Sequence, residues 1–143
     1  MKTRYTSLVS VKKNIMQKSE RVVQNANANL SSAYIALEAS SKELEHIQLP
    51  LSGKITLLLA SRTLLDSQRS IIRHNEEWIE FAKKELIDAK EQLKIDMIEF
   101  EKFKYLELQE IKEILKKRKI QEAKDLDEIA LMTHARNNKT KVA

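Results

Sequence analysis

Leu49-Pro50-Leu51-Ser52-Gly53 holds the one proline and the one glycine among 143 residues. Proline has no N–H to donate and clashes with the preceding turn, and it pushes Leu49 out of the helical region. Glycine opens backbone conformations that other residues avoid. Both helix-stopping signals fall in this single neighbourhood, so the chain on either side can be helix without interruption. The expectation is an all-α fold, a long antiparallel two-helix coiled-coil hairpin. Helix one covers about 5–48, the turn about 49–53, helix two about 54–135, and a frayed tail 136–143.

Working outward, an apolar residue recurs every seventh position before the turn: Val9, Met16, Val23, Leu30, Leu37, Leu44, Leu51. Three residues on lies a smaller or polar series, Ala26, Ala33, Ser40. After the turn, with Ser52 as an expected N-cap, the pattern resumes with Leu58, Leu65, Ile72, Ile79, Leu86, Leu93, Phe100, accompanied by Ser61, Gln68, Asn75, Ala82, Ala89. Seven-residue repeats of this length argue for a left-handed coiled coil. A fold about Leu51 pairs Leu44 with Leu58, Leu37 with Leu65 and Leu30 with Ile72. It places Met1 near residue 101, so the second helix overhangs the first from about 102. Thr3 to Ser7 supply capping residues for helix one. The run Asn25-Ala26-Asn27-Ala28-Asn29 has poor helix propensity and is expected to stay helical through packing.

The composition removes whole classes of chemistry. With no cysteine there is no disulfide, zinc-thiolate site or Cys nucleophile, and one glycine cannot build a phosphate-cradling loop. His46, His74 and His134 share no level in the hairpin, so no metal site is expected. Paired carboxylates such as Glu76-Glu77 lack an enclosed pocket to shift their pKa values. Neither an enzyme nor a cofactor is expected. The net charge of +5 is spread through mixed charges, against a nucleic-acid partner. The most apolar run, Ile55 to Leu65, is interrupted by Ser61 and Arg62 and is too short to cross a bilayer. The opening residues lack the apolar core of a secretory signal.

Two places exceed what a two-helix seam can bury. Leu57, Leu58 and Leu59 point about 100° apart and with Leu49, Leu51, Ile55 and Leu64 form an apolar cluster at the turn. Either the loop folds back over it or another protein docks there. In the overhang, Phe100, Phe103, Tyr105, Leu106, Leu108, Ile111, Ile114 and Leu115 are dense for a lone helix. Either they meet a partner chain or a second copy, or the N-terminal residues reach further along helix two.

The two ends of the chain resemble the FliJ family, small coiled-coil proteins of the bacterial flagellar export apparatus. The resemblance lies in Tyr5-Thr6-Ser7-Leu8-Val9-Ser10-Val11-Lys12-Lys13, in Phe103-Lys104 followed by Leu115-Lys116-Lys117-Arg118-Lys119, and in Leu126-Asp127-Glu128-Ile129-Ala130. It implies a non-enzymatic, cytoplasmic protein at the inner-membrane export apparatus, a stalk-like coupler between the export ATPase hexamer and the export gate membrane protein that also escorts export chaperones. It implies that Tyr5, Phe103, Leu106, Asp127 and Glu128 meet the ATPase. By location, Tyr34, Leu57, Leu59, Leu64, Ile71 and His74 belong to the gate-facing region. The stalk protein of virulence-type secretion systems, a helical-hairpin RNA-binding arm and a holdase remain alternatives.

Overall fold

The structure, a computed structural model, describes residues 2–50 and 53–142. It consists of two helices, α1 (Thr6–His46) and α2 (Ile55–Val142), with no strand among the described residues. The all-α helical hairpin read from the sequence is the fold. Helix α1 begins with a reciprocal cap: the Tyr5 N–H donates to Thr3 Oγ1 (3.2 Å) and the Thr3 N–H donates to Thr6 Oγ1 (2.8 Å), the arrangement of a capping box with threonine in the third position. The asparagine run lies within α1, where Ala26 is buried. The helix closes when the Ile47 N–H reaches Leu44 O at 3.2 Å. Residues 47–50 are not helical, as Pro50 dictates. Leu51 and Ser52, the expected fold point and N-cap, lie outside the described residues. Gly53 has φ of 141°, a conformation that side chains resist, and an added Cβ would meet nothing closer than Leu57 at 3.9 Å. The cost of a substitution there is conformational, without a clash.

Helix α2 runs past the expected end near residue 135 to Val142. Asn137 and Asn138 do not stop it, because no proline or glycine follows Gly53 and polar side chains are accommodated on the helix surface. The Asn138 amide lies 3.3 Å from His134 Nε2, and Thr133 Oγ1 donates to Ile129 O.

Contacts divide the chain into two compact units, Asn14–Ile98 and Met1–Lys13 with Glu99–Ala143. Within Asn14–Ile98 the two helices are antiparallel, and their register differs from a fold about Leu51. Ser19 Oγ donates to Asp96, Asn75 Nδ2 donates to Ser40 Oγ and to Ala36 O, and Gln68 Nε2 donates to Ser40 O and approaches Glu43. A fold at Leu51 would set Ser40 against Arg62 and Ser19 against Lys83. In the observed pairs the two residue numbers add to between 108 and 115, centred on 112. That register sets the larger series of one helix against the smaller series of the other. Leu30 falls level with Ala82, Val23 with Ala89, and Ala33 with Ile79. The symmetric fold would have set leucine against leucine and held the backbones apart. The burial follows the observed layering. Ser19, Ala26, Ala33 and Ser40 are buried on α1, and Gln68, Ile79, Ala82 and Ala89 on α2. Ala33 and Ala82 are the most enclosed, at 0% and 1% exposure. The first turns of α2 therefore extend beyond the level of His46, with the non-helical residues 47–50 in place of a partner helix.

In the other unit the N-terminal residues reach further along α2 than the symmetric fold allows. Arg4 Nε lies 3.5 Å from Glu110, Lys12 Nζ lies 3.8 Å from Glu99, and the Tyr5 and Phe103 rings are 6.5 Å apart. Phe103, Leu106, Ile111 and Ile114 are half-buried. The overhang thus begins at about Leu115, not at 102, and every residue from Leu115 to Lys139 is exposed.

Replacing Ala33 with leucine overfills a layer that has no free space. The expected loss is about 1–3 kcal/mol of stability, read as a lower midpoint of thermal unfolding followed by circular dichroism.

Candidate partner-binding surfaces

Near the turn, the first helical turns of α2 carry apolar residues that are exposed among the described residues. Ile55 is 75% exposed, Leu57 56% and Leu59 57%. Leu49 joins Leu58, Leu59, Arg62, Leu65, Asp66 and Arg69 around an open groove of about 380 Å³. Leu49 thus borders this cluster, and Leu59 lines a groove of mixed apolar and charged side chains.

Leu57, Leu64 and Ile71 each precede by one position a member of the seam series Leu58, Leu65, Ile72. They therefore form a row that runs beside the seam, and the next member is Trp78, 37% exposed. On α1 the corresponding row includes Ile15 and Val22, both exposed. Val22 and Asn29 line an open groove with Glu85 and Asp88, floored by Ala26 and Ala89, so these rows belong to one flank of the seam. His74 lies one helical turn from both Ile71 and Trp78 and is exposed.

Tyr34 belongs to the opposite flank. Its ring lies 6.0 Å from Lys83 Nζ across the seam. The Tyr34 hydroxyl, and after it the Glu80 carboxylate, raise the Lys83 pKa above the ordinary lysine value. Tyr34 and the Leu57–Leu64–Ile71 row therefore do not share a surface. Trp78 escaped the reading of the sequence, although its seven-residue spacing from Ile71 was there to find it.

At the terminal end the Tyr5 and Phe103 rings are 6.5 Å apart, Tyr5, Phe103 and Leu106 are each half-buried, and Lys12 lies 5.7 Å from the Phe103 ring centre. Their task is in part structural. Asp127 and Glu128 lie in the exposed stretch after Leu115. They neighbour Leu126 (66% exposed), Ile129 (58%), Leu131 and Met132. Among the described residues, no three His, Cys, Asp or Glu side chains are placed to hold a metal ion, and no helix is long and apolar enough to cross a membrane.

A family model described as Flagellar FliJ protein matches residues 1–139 of the chain. Neither a curated protein nor a solved structure matches it.

If the flank row is surface, its loss leaves the fold intact. Leu57→Ser and Leu64→Ser should each change stability by no more than about 0.5–1 kcal/mol, whereas Ile79→Ala, 5% exposed, should cost about 2–5 kcal/mol. Denaturant titrations of the three variants measure the difference.

Proposed function

The chain belongs to the flagellar FliJ family, and from that premise we propose that it is a stalk-like coupler between the export ATPase and the export gate, and an escort of export chaperones. A member of this family is a non-catalytic component of the flagellar protein export apparatus. Flagellar biogenesis and motility are therefore the processes it serves, in preference to a virulence-type system. The proposed location is the cytoplasmic side of the inner membrane.

The observation that carries the coupling role is the combination of a long, solvent-exposed helical stretch with a separate apolar flank. From Leu115 to Lys139 no side chain is buried by the rest of the chain, yet the stretch carries Leu126, Ile129, Leu131 and Met132. An isolated helix is marginal in water, so a partner that receives this stretch supplies what its own chain lacks. We assign it to the ATPase, with Asp127 and Glu128 as polar contacts and Tyr5, Phe103 and Leu106 supporting the helix beneath. The flank of Leu57, Leu64, Ile71 and His74, extended by Trp78, is assigned to the gate, because exposed contiguous apolar surface marks interaction sites. Tyr34 and Leu59, expected in the gate-facing region, lie away from that row.

Charge reversal at both exposed carboxylates, Asp127→Lys with Glu128→Lys, should weaken capture of the purified hexameric ATPase at least about tenfold, in line with the cost of misplaced charge at an interface, while helicity stays unchanged. Full-strength capture by a folded double variant would remove that stretch from the ATPase contact. Trp78→Ala should leave ATPase capture intact and lower binding to the soluble domain of the gate protein; undiminished gate binding would clear the flank of that role.

A further inference from the structure

We propose that the part-buried polar contacts within Asn14–Ile98 act as a one-way register lock: they select one of two heptad registers that the apolar seam of this unit accepts alike, and their release lets α1 slide by seven residues toward the start of α2.

Within Asn14–Ile98 the apolar seam does not distinguish the two. Both helices repeat every seven residues, so a slide of seven preserves larger side chains on smaller ones. Val23, level with Ala89 here, would meet Ala82. Ala26, level with Leu86, would meet Ile79. Ile47 would come level with Leu58, the member of the seam series left 45% exposed in the observed register. Within Asn14–Ile98 the slid register thus keeps the large-on-small layers and covers one more leucine, while the Tyr5–Phe103 contact and the ion pairs Arg4–Glu110 and Lys12–Glu99 would be given up.

The polar contacts do distinguish them. Ser19 Oγ donates to Asp96, Asn75 Nδ2 donates to Ser40 Oγ at 3.0 Å, and Gln68 Nε2 lies 3.3 Å from Glu43. A slide of seven residues separates each pair by about 10 Å along the seam. The carbonyls of Ala36 and Ser40, which also accept from Asn75 and Gln68, have equivalents one heptad away, so those bonds carry no register preference. Within this unit selectivity rests on the side-chain-to-side-chain ties, in the way a single polar seam residue fixes register in other coiled coils.

The connection makes the choice one-sided. Residues 47–54 join His46 to Ile55, and His46 lies near the level of Asp66. A slide in the opposite sense would put His46 near residue 73, about 27 Å along α2 from Ile55 at ~1.5 Å per residue. With the ~8–10 Å step between axes, that takes nearly the full reach of the connection at about 3.3–3.6 Å per residue and leaves nothing for the turn at Gly53. A slide toward the start of α2 shortens the path. A protein gripping the exposed leucines of the first α2 turns therefore holds the observed register, since the slid one brings the end of α1 over them.

The chain has no cysteine, which makes the register readable by cross-linking in the full-length protein. Val23→Cys with Ala89→Cys reports the observed register, and Val23→Cys with Ala82→Cys the slid one. In the otherwise unchanged chain, mild oxidation should close the first pair and leave the second at background. Adding Ser19→Ala and Ser40→Ala should shift the ratio of the two disulfides toward the second by about tenfold or more, the scale of two lost hydrogen bonds. Asn75→Ala, which cuts a tie from the α2 side, should move it in the same direction. Circular dichroism confirms that each variant stays helical. Closure of the second pair in the unchanged chain would overturn the lock, and so would a second pair that stays open in helical chains carrying the serine or asparagine replacements.

Discussion

The structure depends on one packing constraint: a larger side chain must face a smaller one at each level of the seam. Alanine or serine at every seventh position of α1, and glutamine, asparagine or alanine at every seventh of α2, leave room for the leucines and isoleucines opposite. Neither helix buries a broad face. Ala33 and Ala82 are nearly sealed, while the larger partners beside them keep an edge in water. The register within Asn14–Ile98 follows from this constraint, because large-on-small layering forbids the symmetric fold about the turn.

That explains which parts of the hairpin were legible in the amino-acid sequence. The number of helices followed from Pro50 and Gly53, the only strong interruptions in the chain. The seam positions followed from the seven-residue series, and the burial of Ala26, Ala33 and Ser40 agrees with them. The register did not follow. Two periodic series can be superposed at many offsets, and a fold point placed in the middle of the turn selects the offset that sets like against like. The polar side chains held the missing information. Ser40, Gln68 and Asn75 find partners only where α2 is displaced, and a reading that treats them as spacers cannot see it. In the terminal unit Phe103 and Leu106 are half-buried, where a symmetric fold leaves them without a neighbour. The candidate surface was legible in part. Leu57, Leu64 and Ile71 do form a row, whereas Tyr34 was grouped with them by location along the chain, a criterion blind to which flank a helical residue occupies.

Membership in the FliJ family makes the absence of an enclosed core intelligible. A protein that works by contact with other parts of the export apparatus gains from surface, and this chain keeps much of its apolar content there. Trp78, Phe81 and Ile87 on the turn-bearing unit, and Leu126, Ile129 and Met132 on the other, are all exposed. The ion pairs Lys42–Glu38, Arg69–Asp66 and Lys83–Glu80 join residues one helical turn apart. Exposed pairs of this kind contribute little individually. They support the helices as local elements and leave the apolar rows available.

No side chain larger than that of alanine is fully enclosed among the described residues. Unfolding accordingly wets little new hydrocarbon, and the heat capacity of the transition should fall below the roughly 12–15 cal/mol/K per residue of an ordinary globule. A low heat-capacity change flattens the curve of free energy against temperature. The hairpin then owes its persistence to a gentle thermal response and to the company it keeps, with no deep optimum of its own.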